Sequence, residues 1–119
     1  MLIDYHECEK QLQLKLNTAK LGFVVLNDAG VPEYENLNQF KNKEQILAVA
    51  AETIQITTGK LKTLNSTLPE YMIFKGTKAF LILIPVIKDN HFYGIYGDNG
   101  LNVGMVRICL QNALEQCIK

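Results

Sequence analysis

Apolar residues recur at spacings of three and four near the start of the chain, through Tyr5, Cys8, Leu12, Leu16 and Ala19. That period draws one apolar stripe along a helix over about Leu2 to Ala19. From Leu21 to Leu26 no polar face remains, which predicts a strand buried on both sides. Asn27-Asp28-Ala29-Gly30 reads as a turn, because Asn and Asp bond nearby backbone and Gly30 accepts a positive φ. Val31 to Asn36 predicts a weaker strand. Pro32 removes a donor, and Glu33 and Glu35 alternate with Tyr34, the mark of an edge exposed on one face.

After a loop through Leu37 to Lys41 comes the strongest helical pattern. Asn42 stands at its cap position with Gln45 three residues on, a capping-box spacing. Ile46, Val49, Ala50, Thr53, Ile54, Thr57 and Leu61 form one face. Leu47, Ala48 and Ala51 widen the apolar zone beyond what one sheet contact needs, so a second surface is expected to press on this helix from outside. Gly59 weakens its last turn. Leu68 to Lys75 and Lys78 to Ile87 read as paired strands around Gly76-Thr77. The second of the two is the most hydrophobic segment and is expected at the sheet centre. Lys88-Asp89-Asn90 turns the chain into a strand over His91 to Tyr96, and a helix over Leu101 to Ile118 closes it. Strand neighbours joined by tight turns on either side of a helix predict an α+β fold, αββαβββα. Its expected core is a five-stranded antiparallel sheet flanked by helices.

The length fits one domain over residues 1–119. Twelve basic and twelve acidic residues cancel. Balance of that kind argues against a phosphate-neutralising nucleic-acid binder and lowers the barrier to self-association. Charges at Asp4, Glu7, Glu9 and Lys10 rule out a signal peptide at the start. The longest apolar run, Ala79 to Ile87, is too short for a membrane span, and no lipidation motif is visible. Cys8, Cys109 and Cys117 are an odd number with no close pairing, so reduced thiols in a cytoplasmic protein are expected.

Little in the chain resembles an active site. His6 and His91 fall on separate elements without a second ligand at metal spacing, and read as surface or structural residues. Cys109 and Cys117, eight apart on the last helix, read as core packing. The single serine, Ser66, lies in a loop and forms no nucleophile elbow. Gly94, Gly97 and Gly100 come with no phosphate-loop lysine and read as turn residues. Tyr93 and Tyr96 read as sheet residues. The expectation is no enzyme activity, no cofactor and no metal.

One motif carries more. Asn102-Val103-Gly104-Met105-Val106-Arg107 opens the last helix and holds the only arginine. Gly104 leaves room for a close approach, usually by a sheet. Arg107 offers a rigid donor fork that lysine cannot imitate, and a buried ion pair is its simplest use. The motif is similar to the Asn-Leu-Gly-Leu-Val-Arg helix start of the roadblock domain family, which includes the roadblock dynein light chains and prokaryotic regulators of small Ras-like GTPases. The resemblance spans the chain. Gly22 to Gly30 resembles the family's first strand and Asp-x-Gly turn, Ile46 to Leu61 its dimer helix, and Glu70 to Ile87 its central hairpin. Glu33, Tyr34 and Glu35 depart from the family's short small-residue second strand.

The resemblance implies a roadblock/longin-like (profilin-like) sandwich and a non-enzymatic dimer. Two copies would meet through Leu68, Tyr71, Met72, Ile73 and Phe74 of the first hairpin strand and through Ile46, Val49, Ala50 and Thr53 of the middle helix. An unpaired strand that is apolar on both faces suits this role. The partners implied are a second copy or a related roadblock chain, and a small Ras-like GTPase. Glu44, Gln45, Glu52 and Gln55 on the middle helix offer a surface for the GTPase. Asn102, Gly104 and Arg107 would be structural. The alternatives are an adaptor subunit like the dynein light chains and, with less support, a small-molecule sensor.

Overall fold

Five segments, four of them rich in apolar residues, pair into one antiparallel sheet in the computed structural model, which describes residues 3–16, 21–65, 67–98 and 100–118. The strands are β1 (Gly22–Asn27), β2 (Pro32–Asn36), β3 (Met72–Lys75), β4 (Ala79–Val86) and β5 (His91–Asp98). Their spatial order is β2-β1-β5-β4-β3. The helices are α1 (Tyr5–Leu16), α2 (Lys43–Ile56), the short α3 (Lys62–Asn65) and α4 (Val103–Cys117), with a π-helical turn over Thr57–Leu61. The fold is the expected α+β architecture. Among the described residues no helix is long and apolar enough to cross a membrane. Leu2, Ala19, Ser66 and Asn99, which entered the sequence reading, lie outside the described residues.

Alternation along the strands divides the core in two. Phe23, Val25, Phe80, Ile82, Ile84, Tyr93 and Ile95 face α1 and α4, meeting Cys8, Leu12, Val106, Leu110 and Leu114. Val24, Leu26, Leu81, Leu83 and Phe92 face α2, meeting Ile46, Ala50 and Ile54. The result is three layers, with α2 on one side of the sheet and α1 with α4 on the other.

The centre of the sheet is β5, not the more hydrophobic β4. Glycine explains the placement. Gly94 pairs with Val24 on one side and Leu83 on the other, and a Cβ there would stand 2.8 Å from Leu83 Cδ2 and 3.0 Å from Val24 Cγ1. Gly94 and Gly97 are therefore strand residues packed against large neighbours, not turn residues. Gly100 does sit in a turn, where its N–H donates to Asp98 Oδ1 at 3.0 Å.

Two ends differ from expectation. Pairing of β3 with β4 begins only at Met72, so Leu68 to Tyr71 lie outside the strand. The cause is Pro85, which stands at the next pairing position of β4 and has no N–H to donate. The middle helix leaves α geometry at Thr57, within the expected span to Leu61. Asn42 does not cap it: its side chain makes no cap bond and donates instead to Tyr96 Oη at 3.2 Å. The turn at Asn27 forms as read, its Oδ1 accepting from Ala29 N–H at 2.9 Å and Val31 N–H at 3.0 Å. Gly30 takes φ 84° there.

The cysteines overturn a sequence expectation. Cys8 of α1 and Cys117 of α4 form a disulfide across 109 residues, and only Cys109 is free. Spacing could not disclose the pair, because the two helices meet only in the folded layer. Beside this clasp, Glu9 is a buried acid whose side chain is 6% exposed. Its carboxylate accepts from Tyr34 Oη at 2.6 Å and Asn36 Nδ2 at 2.5 Å, tying α1 to β2. Burial, reinforced by the bond to Glu9 and its charge, pushes the Tyr34 phenol above its ordinary pKa.

Candidate interaction surface

The surface of interest follows from which backbone groups the sheet leaves unused. Gly76 N–H bonds the Ala79 carbonyl at 2.8 Å, so these two residues form a hydrogen-bonded pair. Hydrogen-bonded and open pairs alternate along an antiparallel ladder. With Phe74 opposite Leu81 and Met72 opposite Leu83, those pairs are bonded too. Ile73 and Lys75 then direct their N–H and C=O groups away from β4, and so does the Tyr71 carbonyl, which stands opposite the Met72 N–H in their shared planar peptide. The next β4 position on this side, Pro85, has no N–H to offer. The ladder stops there, and the chain before Met72 peels away. What opens is a groove of about 560 Å³. Leu68, Pro69, Ile84, Ile87, Leu114 and Ile118 are among its lining residues, with Glu70, Lys88 and Glu115 on polar positions.

As the last strand of the sheet, β3 exposes Ile73 by 37% and Phe74 by 43%. Met72 and Leu68 are half-buried and pack toward α2. Thr57 Oγ1 donates to Met72 Sδ at 3.2 Å, fixing the strand to the end of the middle helix. On the other face Arg107 lies over the Tyr71 ring, 4.4 Å from its centroid, and its Nη1 donates to Gln111 Oε1 at 2.8 Å. The lone arginine has an aromatic partner where an ion pair was expected, an attraction worth about 0.5–2 kcal/mol. It fastens α4 to the approach of the edge strand.

The helical half of the expected interface divides. Ile46 is 4% and Ala50 0% exposed, both against the chain's own sheet, whereas Val49 is 47% exposed. Ile46 and Ala50 are therefore removed from any surface open to a second chain. Thr53 is half-buried and donates to the Val49 carbonyl at 2.7 Å. Glu44, Gln45, Glu52 and Gln55 are all on the exposed face. Gln55 Nε2 reaches the Ala29 carbonyl at 3.5 Å. Exposed Val49 and Ile56 give this polar face apolar positions as well.

The closing motif is only partly as expected. Asn102 caps α4, its Oδ1 accepting from Met105 N–H at 3.0 Å, which satisfies one of the orphan donors of the first turn. Gly104 is exposed, and a Cβ there would meet only Asn102 Oδ1, at 3.4 Å. Among the described residues no strand approaches it, so the expected close contact is absent.

Sequence reasoning missed a polar cluster at the far end of the sheet. His91 Nδ1 lies 2.5 Å from the Asp89 carbonyl and Nε2 2.7 Å from Glu33 Oε1. Both neighbours are acceptors, so the doubly protonated ring satisfies both. Burial alone would lower the His91 pKa, but these bonds and the charges of Glu33 and Asp89 outweigh it and the net shift is upward. Tyr93 donates a short hydrogen bond to Asp89 Oδ2. Burial first, then Asp89, raises its pKa above the ordinary phenol value. Tyr5 of α1 packs on both the His91 and Tyr93 rings. Asp89 Oδ1 is buried and has no partner among the described residues. Four elements converge here, and only the pairing register brings them together. Among the described residues no group of three or more His, Cys, Asp or Glu is placed to hold a metal ion.

No protein-family model matches the sequence, and no curated protein matches it as a relative. Solved structures do match in shape. Myxococcus xanthus MglB is 17% identical, with a TM-score of 0.65 over 88% of this chain and 84% of that one. An MglB with a tetrameric arrangement is 13% identical, with a TM-score of 0.69 over 95% and 86%. A Roadblock/LC7 domain from Streptomyces avermitilis is 7% identical, with a TM-score of 0.60 over 80% and 79%. With the strand order, the three layers and the capped closing helix in place, the chain has the roadblock-domain fold.

Proposed function

We propose that this chain is a non-enzymatic interaction module that works as a two-fold dimer and regulates or scaffolds a small Ras-like GTPase. The observation that carries the reading is the edge strand β3. It combines unused outward amides with exposed Tyr71, Ile73 and Phe74, in a fold shared with roadblock domains. Such an edge invites pairing with another strand, and a copy of itself supplies one. The shape match to an MglB in a tetrameric arrangement supports self-association. The proposed dimer surface comprises Leu68, Tyr71, Met72, Ile73 and Phe74, with Val49 and Thr53 at its helical margin. A related roadblock chain can take the place of the second copy.

The GTPase would meet the polar face of α2 at Glu44, Gln45, Glu52 and Gln55. In this reading the partner supplies the nucleotide site, and the module acts by holding its switch segments. Arg107 is not the arginine that completes such a site, because its guanidinium is engaged with Tyr71 and Gln111. Ile73→Pro tests the dimer. It deletes an outward donor and leaves the β3–β4 bonds at Met72 and Phe74 intact, so light scattering should report a folded monomer. A stable dimer would move the interface elsewhere. Capture of a small GTPase in its GDP-loaded and GTP-loaded forms tests the second half. Equal binding of both forms would favour an adaptor over a regulator.

A further inference from the structure

We infer that two copies pair through β3 in one register only, centred on Ile73. This rests on the dimer reading above and adds which residues face which. Outward backbone groups occur at Tyr71, Ile73 and Lys75. The flanking positions of the same parity do not extend the set: Pro69 has no N–H, and Thr77 lies in the hairpin loop, outside both strands. A two-fold axis maps these three residues onto themselves only when it passes through Ile73. Tyr71 then bonds the partner's Lys75, Ile73 bonds the partner's Ile73, and every outward donor and acceptor of the three is satisfied. Sliding the copy by two residues one way sets Lys75 against the partner's Pro69, which lacks a donor. Sliding it the other way sets Tyr71 against the partner's Thr77, in the turn.

Side chains select the same register. Met72 packs with the α2-side core, so Met72 and Phe74 share that face and Tyr71, Ile73 and Lys75 the other. Centring on Ile73 sets Met72 opposite the partner's Phe74, a sulfur–aromatic contact, and Ile73 opposite its twin. Tyr71, already covered on one side by Arg107, stands opposite the partner's Lys75. A slide one way would set Glu70 opposite the partner's Phe74, and a slide the other way would set Ile73 opposite the partner's Lys75. Both replace an apolar contact with a charge.

Cysteine cross-linking in the Cys109→Ser protein decides the register. Facing residues lie about 4.5–5.5 Å apart at Cα, within disulfide reach, whereas two residues of slippage adds about 7 Å along the strand. Ile73→Cys is expected to link to itself under mild oxidation. Met72→Cys and Phe74→Cys should each remain single chains alone and should link to one another when mixed. If Ile73→Cys weakens the dimer, the mixed pair still reports the register. Light scattering on the unoxidised proteins separates the two levels of failure. Monomers throughout would refute the dimer. Intact dimers in which Met72→Cys or Phe74→Cys links to itself, or in which the mixture does not link, would refute the register alone.

Discussion

Glu9→Ala is the sharpest test of how the first helix is held. The wild-type carboxylate is nearly buried and accepts two hydrogen bonds, from Tyr34 at 2.6 Å and Asn36 at 2.5 Å. Among the described residues the one basic side chain within 4 Å of it is His6, whose Nδ1 lies 3.8 Å away. Bonds to a charged acceptor contribute about 1.5–3 kcal/mol each. Tyr34 and Asn36 are half-buried, so water replaces part of the loss, and the expected net destabilisation is about 2–4 kcal/mol. For a domain of this size that lowers the melting temperature by roughly 8–16 °C. The assay is thermal and urea unfolding under oxidising conditions, so that the Cys8–Cys117 clasp is the same in every variant. Combining Glu9→Ala with Tyr34→Phe should cost less than the sum of the two, by about 1 kcal/mol. A loss below about 0.5 kcal/mol, or strict additivity, would show that these bonds contribute nothing beyond what water supplies.

Gly30→Ala should cost at least about 1–2 kcal/mol, because φ is 84° and the new Cβ would stand 3.0 Å from Ala51 Cα. Gly59→Ala, whose new Cβ would meet nothing within 4 Å among the described residues, should be neutral or slightly stabilising; equal melting temperatures would remove the distinction. Raised in the folded state, the His91 pKa gives a stability contribution that is full below the unfolded value of about 6.5 and fades as pH rises through the folded one. The wild-type loss over that window should be absent in His91→Gln, and parallel stability profiles would place the proton elsewhere. Reducing the Cys8–Cys117 bond, which closes a loop spanning most of the chain, should lower stability by about 2–4 kcal/mol, read as the unfolding midpoint with and without dithiothreitol.

Much of the fold was legible because local periods carry it. The stripe through Cys8 and Leu12, the unbroken apolar run of β1 and the Asn27–Gly30 turn each report their own structure through spacing and side-chain chemistry. Asn102 was legible as part of a motif, and its capping bond gives that motif a physical basis. The middle helix was harder. Its broad apolar zone pointed to two contacts, but one-dimensional spacing could not say that Ile46 and Ala50 face inward while Val49 faces out. Gly104 misled for a related reason: a missing Cβ permits a close approach without requiring one.

By itself, then, the sequence determined the element order, the antiparallel pairing and an edge-strand candidate, because those follow from interactions within a few residues. Tertiary structure alone decided the strand order, the Cys8–Cys117 and Glu9–Tyr34 links, the Arg107–Tyr71 contact and the His91 cluster. Each of these joins residues far apart in the chain. Their meeting depends on how the layers stack and on which register the strands adopt, and a one-residue slip would send the strand members, Tyr34 and His91 among them, to the opposite face.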